Sequence, residues 1–302
     1  MKQQSVSYGK WILAGEHAVL RGHPALVFPL YTKKMTFTYD LAATEPFLVR
    51  LTGEHGHELE LILHGVIEKA LLRVERVHSD LKGLLEVEST LPLGAGMGGS
   101  AALCVGVAQY FAAKEWILTD KIYEFARDLE DLFHGESSGV DIAVSLEGKA
   151  IQFQRELAKG KSSALREPLK LEWTPAWFLS YCGKKGVTSE CVKKVRDLSE
   201  RSPERAKKID QEMKESVELA RRALGNAKGE ESLSHLAQAL DIARDCFQQW
   251  GLCGDELNKH MDILSEEGAL SVKPTGSGGG GYVLSLWSQP PPASLSSTLL
   301  PL

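Results

Sequence analysis

The chain has no long apolar run, no paired cysteines and no excess of positive charge, and each absence removes a class of function. No window approaches the uninterrupted apolar length of a membrane span. The first residues, Met1-Lys2-Gln3-Gln4-Ser5, lack the apolar stretch and small-residue cleavage site of a secretory signal, so a soluble, cytoplasmic protein is the expectation. The five cysteines (Cys104, Cys182, Cys191, Cys246, Cys253) are odd in number and form no Cys-x-x-Cys, which favours reduced thiols over a disulfide framework or a zinc site. A net charge of −5 gives no electrostatic reason to expect nucleic acid as a partner. There is no internal repeat, and no Gly-Lys-Ser/Thr closes the glycine-rich loop at 91–102 as it closes the familiar phosphate loop.

What remains is a chain of 302 residues, 43% hydrophobic and 25% charged, long enough for one large domain or two ordinary ones. Residues 5–39 predict strands, with short apolar runs at Trp11-Ile12-Leu13 and Ala25-Leu26-Val27-Phe28 and period-two alternation at Thr36-Phe37-Thr38-Tyr39. Helices are predicted over 58–78, 100–116 and 120–134, with strands at 83–88 and 150–153. Polar composition at 155–170 sets a boundary. Beyond it come a strand at 176–181, helices near 203–225, 232–250 and 255–267, and a strand at 282–286. Ser202-Pro203 predicts a cap and first-turn proline. The expected organisation is an N-terminal α/β domain (1–165), a C-terminal α+β domain (166–288) and a poorly ordered Pro/Ser-rich tail (289–302).

Two glycine loops punctuate this pattern. Leu91-Pro92-Leu93-Gly94-Ala95-Gly96-Met97-Gly98-Gly99-Ser100-Ala101-Ala102 runs into a predicted helix, and Lys273-Pro274-Thr275-Gly276-Ser277-Gly278-Gly279-Gly280-Gly281 precedes a predicted strand. Backbone that wraps phosphate needs residues without a Cβ, and a helix N-terminus adds free N–H donors and a positive dipole end. Between the loops, Ile122, Phe125, Ala126, Leu129 and Phe133 form one helical face with Glu130 at its edge. His134-Gly135-Glu136-Ser137-Ser138-Gly139-Val140-Asp141 follows, and Gly9-Lys10-Trp11-Ile12-Leu13-Ala14-Gly15-Glu16-His17-Ala18-Val19-Leu20 stands at the start of the chain.

These four pieces, in this order, resemble the GHMP small-molecule kinases (galacto-, homoserine, mevalonate and phosphomevalonate kinases). Gly15-Glu16-His17-Ala18-Val19-Leu20, followed by Gly22 and Pro24-Ala25-Leu26, is similar to the mevalonate-kinase form of the first motif. The resemblance implies a two-domain α/β (α+β) fold, with a ribosomal S5 domain 2-like N-terminal half and a ferredoxin-like C-terminal half. It implies ATP and Mg²⁺ as cofactors and mevalonate or a related hydroxy acid as acceptor, with a homodimer as the candidate assembly. Phosphoryl transfer needs a clamp on the triphosphate, a divalent metal and an oriented hydroxyl. The resemblance assigns the nucleotide to Gly94, Ala95, Gly96, Met97, Gly98, Gly99, Ser100 and Ala101 and to Thr275, Gly276, Ser277 and Gly278. It assigns Mg²⁺ to Ser100 and Glu130, with helix capping and a solvated surface charge as their alternatives. Asp141 and Lys10 take the catalytic roles, against a purely structural ion pair. Glu16, His17, Arg155 and Thr188 are expected around the acceptor, Arg155 facing its carboxylate or lying on the surface, and His134 orients the catalytic turn.

The chain departs from the family pattern at Gly99, where a serine is usual, at Glu136-Ser137 in place of Asn-Pro, at Lys149 and at Pro274. The rival readings are a sister kinase, with Lys184 and Lys185 available for a substrate phosphate, and a silent nucleotide-binding member. His55 and His57 read as a polar turn, Cys104 as core, and Trp173 and Trp177 as packing.

Overall fold

A computed structural model describes residues 2–94, 96–134, 137–157 and 163–302, His134 by its backbone alone. The expected contributions of Ala95, Glu136 and the His134 side chain lie outside the described residues. Two compact units divide the chain, one formed by residues 1–10 and 29–149, the other by 11–28 and 150–302. The division is not the single cut expected near residue 165, because β1 (Lys2–Ala14) and β2 (Ala25–Asp40) each contribute residues to both units.

In the first unit, β2 runs antiparallel to β4 (Leu84–Ser89), with Phe37 opposite Val87, and β3 (Leu48–Thr52) lies parallel to β4. Met35, Phe37 and Tyr39 alternate inward and are buried, as a half-covered sheet requires. Four helices complete the unit: α1 (Glu60–Arg73), α2 (Gly99–Ala113), α3 (Ile122–His134) and α4 (Val140–Glu147). α2 is apolar on all sides and almost wholly buried. Its Gly106 meets the ring of Phe37, where a Cβ would fall 2.0 Å from Cε2. α4 is absent from the sequence prediction, since Val140, Ile142, Ala143 and Val144 read equally well as a strand.

In the second unit, Ala25–Val27 of β2 pairs with β5 (Ile151–Arg155), which pairs in turn with β6 (Ala164–Pro168), a strand inside the stretch expected to be a boundary. A separate antiparallel sheet has the order β10-β7-β9-β8, with β7 Ala176–Tyr181, β8 Ser271–Thr275, β9 Tyr282–Trp287 and β10 Leu300–Pro301. β8 is an edge strand, which is why Pro274, lacking an N–H, fits within it. The helices are α5 (Thr188–Arg201), α6 (Pro203–Gly225), α7 (Glu230–Gln249) and α8 (Asp255–Glu266). Pro203 opens α6 as predicted, but the Ser202 side chain makes no capping bond. The tail needs correction: Leu299 is buried in the core with Leu257, Met261, Val272 and Trp287, and Leu300–Pro301 adds a strand to the sheet. Trp177 packs edge-on against Trp11 and Phe28, at 4.8 and 5.4 Å between centroids. No helix among the described residues is long and apolar enough to cross a membrane.

Candidate active site

In the first unit, β1 delivers Lys10 beside the glycine loop. The Lys10 backbone N–H donates to the Met97 carbonyl at 2.8 Å, and the buried ammonium lies 3.2 Å from Oδ2 of Asp141, a side chain still 25% exposed. Gly98 permits this approach, because a Cβ there would stand 2.8 Å from Lys10 Cγ. Gly94, Gly96 and Gly98 all have positive φ (66°, 79° and 79°), a sequence of turns that L side chains resist. Around Gly96 a Cβ would meet nothing within 4 Å, so this part of the loop opens outward. Met97 and Ala101 face the core, which leaves only their backbone to meet a ligand.

Ser100 lies at the head of α2. The N-cap is Gly98, at φ 79°, and no side chain caps the helix. Ser100 is therefore the second residue of the first turn, one step inside the N-cap position that Gly98 fills. Gly99 has its own reason, since a Cβ there would lie 2.8 Å from the Pro92 carbonyl oxygen. The serine usual in the family does not fit this turn.

Asp141 sits in the first turn of α4, whose N-cap, Gly139, also has φ 79°. A Cβ at Gly139 would fall 2.3 Å from the Tyr123 hydroxyl. Farther along α4, Ser145 Oγ donates to the Tyr8 carbonyl at 2.7 Å and ties the helix to β1. Glu130, on α3, is buried rather than solvated. Burial first, and the negative charge of Asp141 second, push its carboxyl up to about 8, against a hydrogen bond from Ser137 and the charge of Lys10.

Ser137 is a site residue that sequence reasoning missed. Its hydroxyl donates to Glu130 Oε2 in a very short bond and accepts from the Gly139 N–H at 3.0 Å. The Arg127 guanidinium donates to the Ser137 carbonyl at 3.1 Å, and the Ser137 N–H donates to Asp131 Oδ1 at 3.0 Å. One serine thus links Glu130 to the turn that launches Asp141. Its signal was a serine two residues before a glycine turn, a local side-chain-to-backbone bond.

Among the described residues, no group of three or more His, Cys, Asp or Glu side chains could hold a metal ion. His55 instead places Nδ1 2.8 Å from Glu58 Oε1, within a polar turn as expected. Mg²⁺ keeps waters and substrate phosphates and needs only one or two protein oxygens. The donors fit in kind: a hydroxyl on α2, and on α3 a buried carboxylate whose charge is unfavourable beside Asp141 until a cation offsets it.

The second unit holds the other predicted residues. Glu16 does not stand open to a ligand: its Oε1 is 2.6 Å from Nζ of Lys273, and both side chains are sealed, at 2% and 0% exposure. His17 places Nε2 2.9 Å from the Ser277 carbonyl, edge-on to Trp250 at 5.2 Å. A carbonyl only accepts, so Nε2 carries the proton. Burial takes the imidazole down to about 4, outweighing the Ser277 bond, and His17 is neutral. Thr188 opens α5 with Oγ1 3.3 Å from Ser277 Oγ, which joins His17, Ser277 and Thr188 in one group. Arg155 is buried, with a guanidinium nitrogen 3.5 Å from the Leu20 carbonyl. Thr275 Oγ1 accepts from the Ile12 N–H at 3.0 Å and donates to its carbonyl at 2.9 Å. Gly278, Gly279 and Gly280 approach Phe247 and Leu252, Cys191 Sγ and the Lys184 carbonyl so closely that a Cβ would stand 3.0, 2.8 and 2.6 Å away.

Comparison with known proteins places this geometry. Residues 65–149 match the GHMP kinases N terminal domain. The mevalonate kinase of Archaeoglobus fulgidus is 29% identical over 282 residues, covering 92% of this chain and 90% of the relative. Among solved structures, the L. major mevalonate kinase in complex with R-mevalonate superposes with a TM-score of 0.76 at 22% identity, covering 95% of this chain and 87% of that one. The Streptococcus pneumoniae phosphomevalonate kinase, in complex with phosphomevalonate and AMPPNP, gives 0.71 at 16% identity, covering 95% and 93%. The structural matches establish the shared fold.

Proposed function

We propose that this chain, whose residues 65–149 match the GHMP kinases N terminal domain, transfers the γ-phosphoryl group of ATP to the 5-hydroxyl of mevalonate. The observation that carries the reading is the Lys10–Asp141 pair, 3.2 Å apart and open at the carboxylate, beside a loop of positive-φ glycines at the head of a buried helix. The N–H groups of Gly94 and of Gly96 to Gly99 and the positive end of α2 clamp the phosphates. Ser100 and Glu130 hold Mg²⁺, which supplies charge neutralisation on the phosphate oxygens when bound.

Asp141 orients the acceptor hydroxyl and takes its proton as the oxygen–phosphorus bond forms and the bond to ADP breaks. Lys10 places a positive charge beside the developing alkoxide. Within the second unit, the neutral His17, the Thr188 hydroxyl and the Arg155 guanidinium are groups of the kinds that recognise a hydroxy acid. Of the two lysines named for a second phosphate, Lys184 is paired with Glu256 at 3.1 Å on the surface.

ADP release from ATP·Mg²⁺ in the presence of mevalonate, phosphomevalonate or galactose tests the reading. Turnover with mevalonate is expected. Turnover with another acceptor alone would keep the kinase and overturn mevalonate, and none with any acceptor would overturn both.

A further inference from the structure

The segment Gly15–Arg21 carries a backbone feature that folding alone does not require. His17 has φ 57° and ψ −47°, and the Ala18 N–H donates to the Glu16 carbonyl at 2.5 Å. A bond from residue i+2 to residue i around a positive-φ centre is a γ-turn of the rare, strained hand, and here its centre is not glycine. Strain of this kind persists only where the surroundings over-determine it.

They do so here from every side. Before the turn, the Gly15 N–H points to Met213 Sδ at 3.1 Å, and Gly15 lies so close to Ala25 that a Cβ would stand 2.4 Å from its Cα. After it, Arg21 grips the buried Asp210 through two nitrogens. At the centre, the His17 ring is bonded to Ser277 and faces Trp250 and Phe247. The strongest hold is on Glu16, whose carboxylate meets the Lys273 ammonium at 2.6 Å. That ammonium also lies 3.4 Å from the Ile12 carbonyl and 5.3 Å from the centroid of the Phe247 ring. Lys273 is completely buried in an edge strand, an expensive place for a cation. A well-packed apolar pair would serve stability as well or better.

We propose that Lys273 is a positioning residue: through Glu16 it holds the strained turn at His17, fixing the imidazole in one tautomer and one direction toward the acceptor. The sealed pair therefore sets specificity for the acceptor rather than stability or nucleotide binding. The inference rests on the kinase reading with His17 at the acceptor.

The discriminating variant removes both charges. Glu16→Met/Lys273→Met replaces the pair by side chains of similar volume, and its melting temperature is expected to return close to that of wild type, whereas Lys273→Met alone, with a carboxylate stranded, melts well below it. If Lys273 positions the turn, the double variant keeps an acceptor KM raised by at least about tenfold while the KM for ATP changes less than about twofold. The ¹⁵N signals of the His17 ring, a single Nε2–H pattern in the wild type, become those of a tautomer mixture. Wild-type acceptor KM and an unchanged His17 pattern in the double variant would overturn the proposal.

Should that variant not fold, Glu16→Asp carries the test. It keeps both charges but is one methylene too short to reach Lys273 without moving the turn. A raised acceptor KM supports the positioning role, and an unchanged KM and ring spectrum contradict it. The ring signals need no substrate, so a wild-type protein inactive with every acceptor would defeat the kinase reading while leaving the turn testable.

Discussion

Each unit contains a glycine loop next to a lysine–carboxylate pair, and the two regions have opposite uses for the same parts. In the first unit the loop opens outward at Gly96, and Asp141 of the Lys10–Asp141 pair keeps a quarter of its side-chain surface exposed. In the second unit Gly278, Gly279 and Gly280 are pressed against Phe247, Leu252, Cys191 and the Lys184 backbone, and the Lys273–Glu16 pair is sealed. Positive φ is common to both loops. At Gly96 the space left by the missing Cβ is empty, whereas at Gly278, Gly279 and Gly280 it is already filled. Empty space can receive a phosphate, whereas filled space holds neighbouring side chains in place. On the proposed function, the first region acts on the reactants and the second aims the residues that recognise one of them.

The sharpest way to break this contrast is to remove the two lysines separately. Lys10→Met is expected to cut kcat by about 10³-fold and to leave the melting temperature nearly unchanged, since a partly exposed pair contributes little stability. Lys273→Met is expected to cost about 3–5 kcal/mol of stability, the usual cost of stranding a buried charge. Steady-state kinetics and denaturant titration on both variants check the pair, and the contrast fails if both lose the same quantity.

Alanine at two glycines asks the same question of the loops. Gly280→Ala, whose Cβ would stand 2.6 Å from the Lys184 carbonyl oxygen, is expected to destabilise the fold by about 3 kcal/mol through overpacking. Gly96→Ala pays only for its positive φ, about 1 kcal/mol, and is expected to show mainly as a raised KM for ATP. Equal loss of stability in the two would contradict the distinction.

The second region also has a pH signature. Burial lowers His17 to about 4 and lowers His23 and His260 as well, all three in the second unit. The unfolded chain binds protons near pH 6.5 while folded His17 does not, so stability is fully present above pH 6.5 and is lost as pH falls toward 4. For His17 alone the loss across that window is about 3 kcal/mol, at 1.36 kcal/mol per pH unit. Urea titrations at pH 7 and pH 5 measure it, and His17→Asn should flatten the dependence. An equally steep curve in that variant would assign the effect elsewhere.

The smallest effect separates Ser137 from its neighbours. Ser137→Ala removes the bond to Glu130 and frees the Gly139 N–H, with an expected cost of about 1–2 kcal/mol. It should also raise the Mg²⁺ concentration needed for half-maximal turnover at unchanged acceptor KM. An unchanged Mg²⁺ requirement would leave Ser137 only a structural part in the turn.

Much of this was legible from residue pattern. Helices α3 and α6 to α8 announce themselves by spacing, and Lys10, Glu130 and Asp141 stand in motifs whose order matches the family. Other elements carry too little signal. α5 buries only Cys191 and Val195 along 14 residues, too thin a stripe to show a period. β6, with Arg166 and Glu167 exposed or half-exposed, reads as a polar linker until β5 pairs with it. The sealed pair was missed because Glu16 matched a substrate motif and Lys273 bordered a glycine loop. Its trace was an isolated acid and an isolated base, each among residues that fold into the interior, and the pairing of distant charges is a tertiary fact that no local pattern encodes.

The central claim is that the open pair of the first unit performs phosphoryl transfer. Its most direct test is phosphorus NMR of the product formed from ATP·Mg²⁺ and mevalonate by the wild type and by Asp141→Asn, beside the melting curve of each. The account predicts a phosphorylated acceptor from the wild type, a rate lower by about 10³-fold in the variant, and superimposable melting curves. A variant that forms product at the wild-type rate would contradict it.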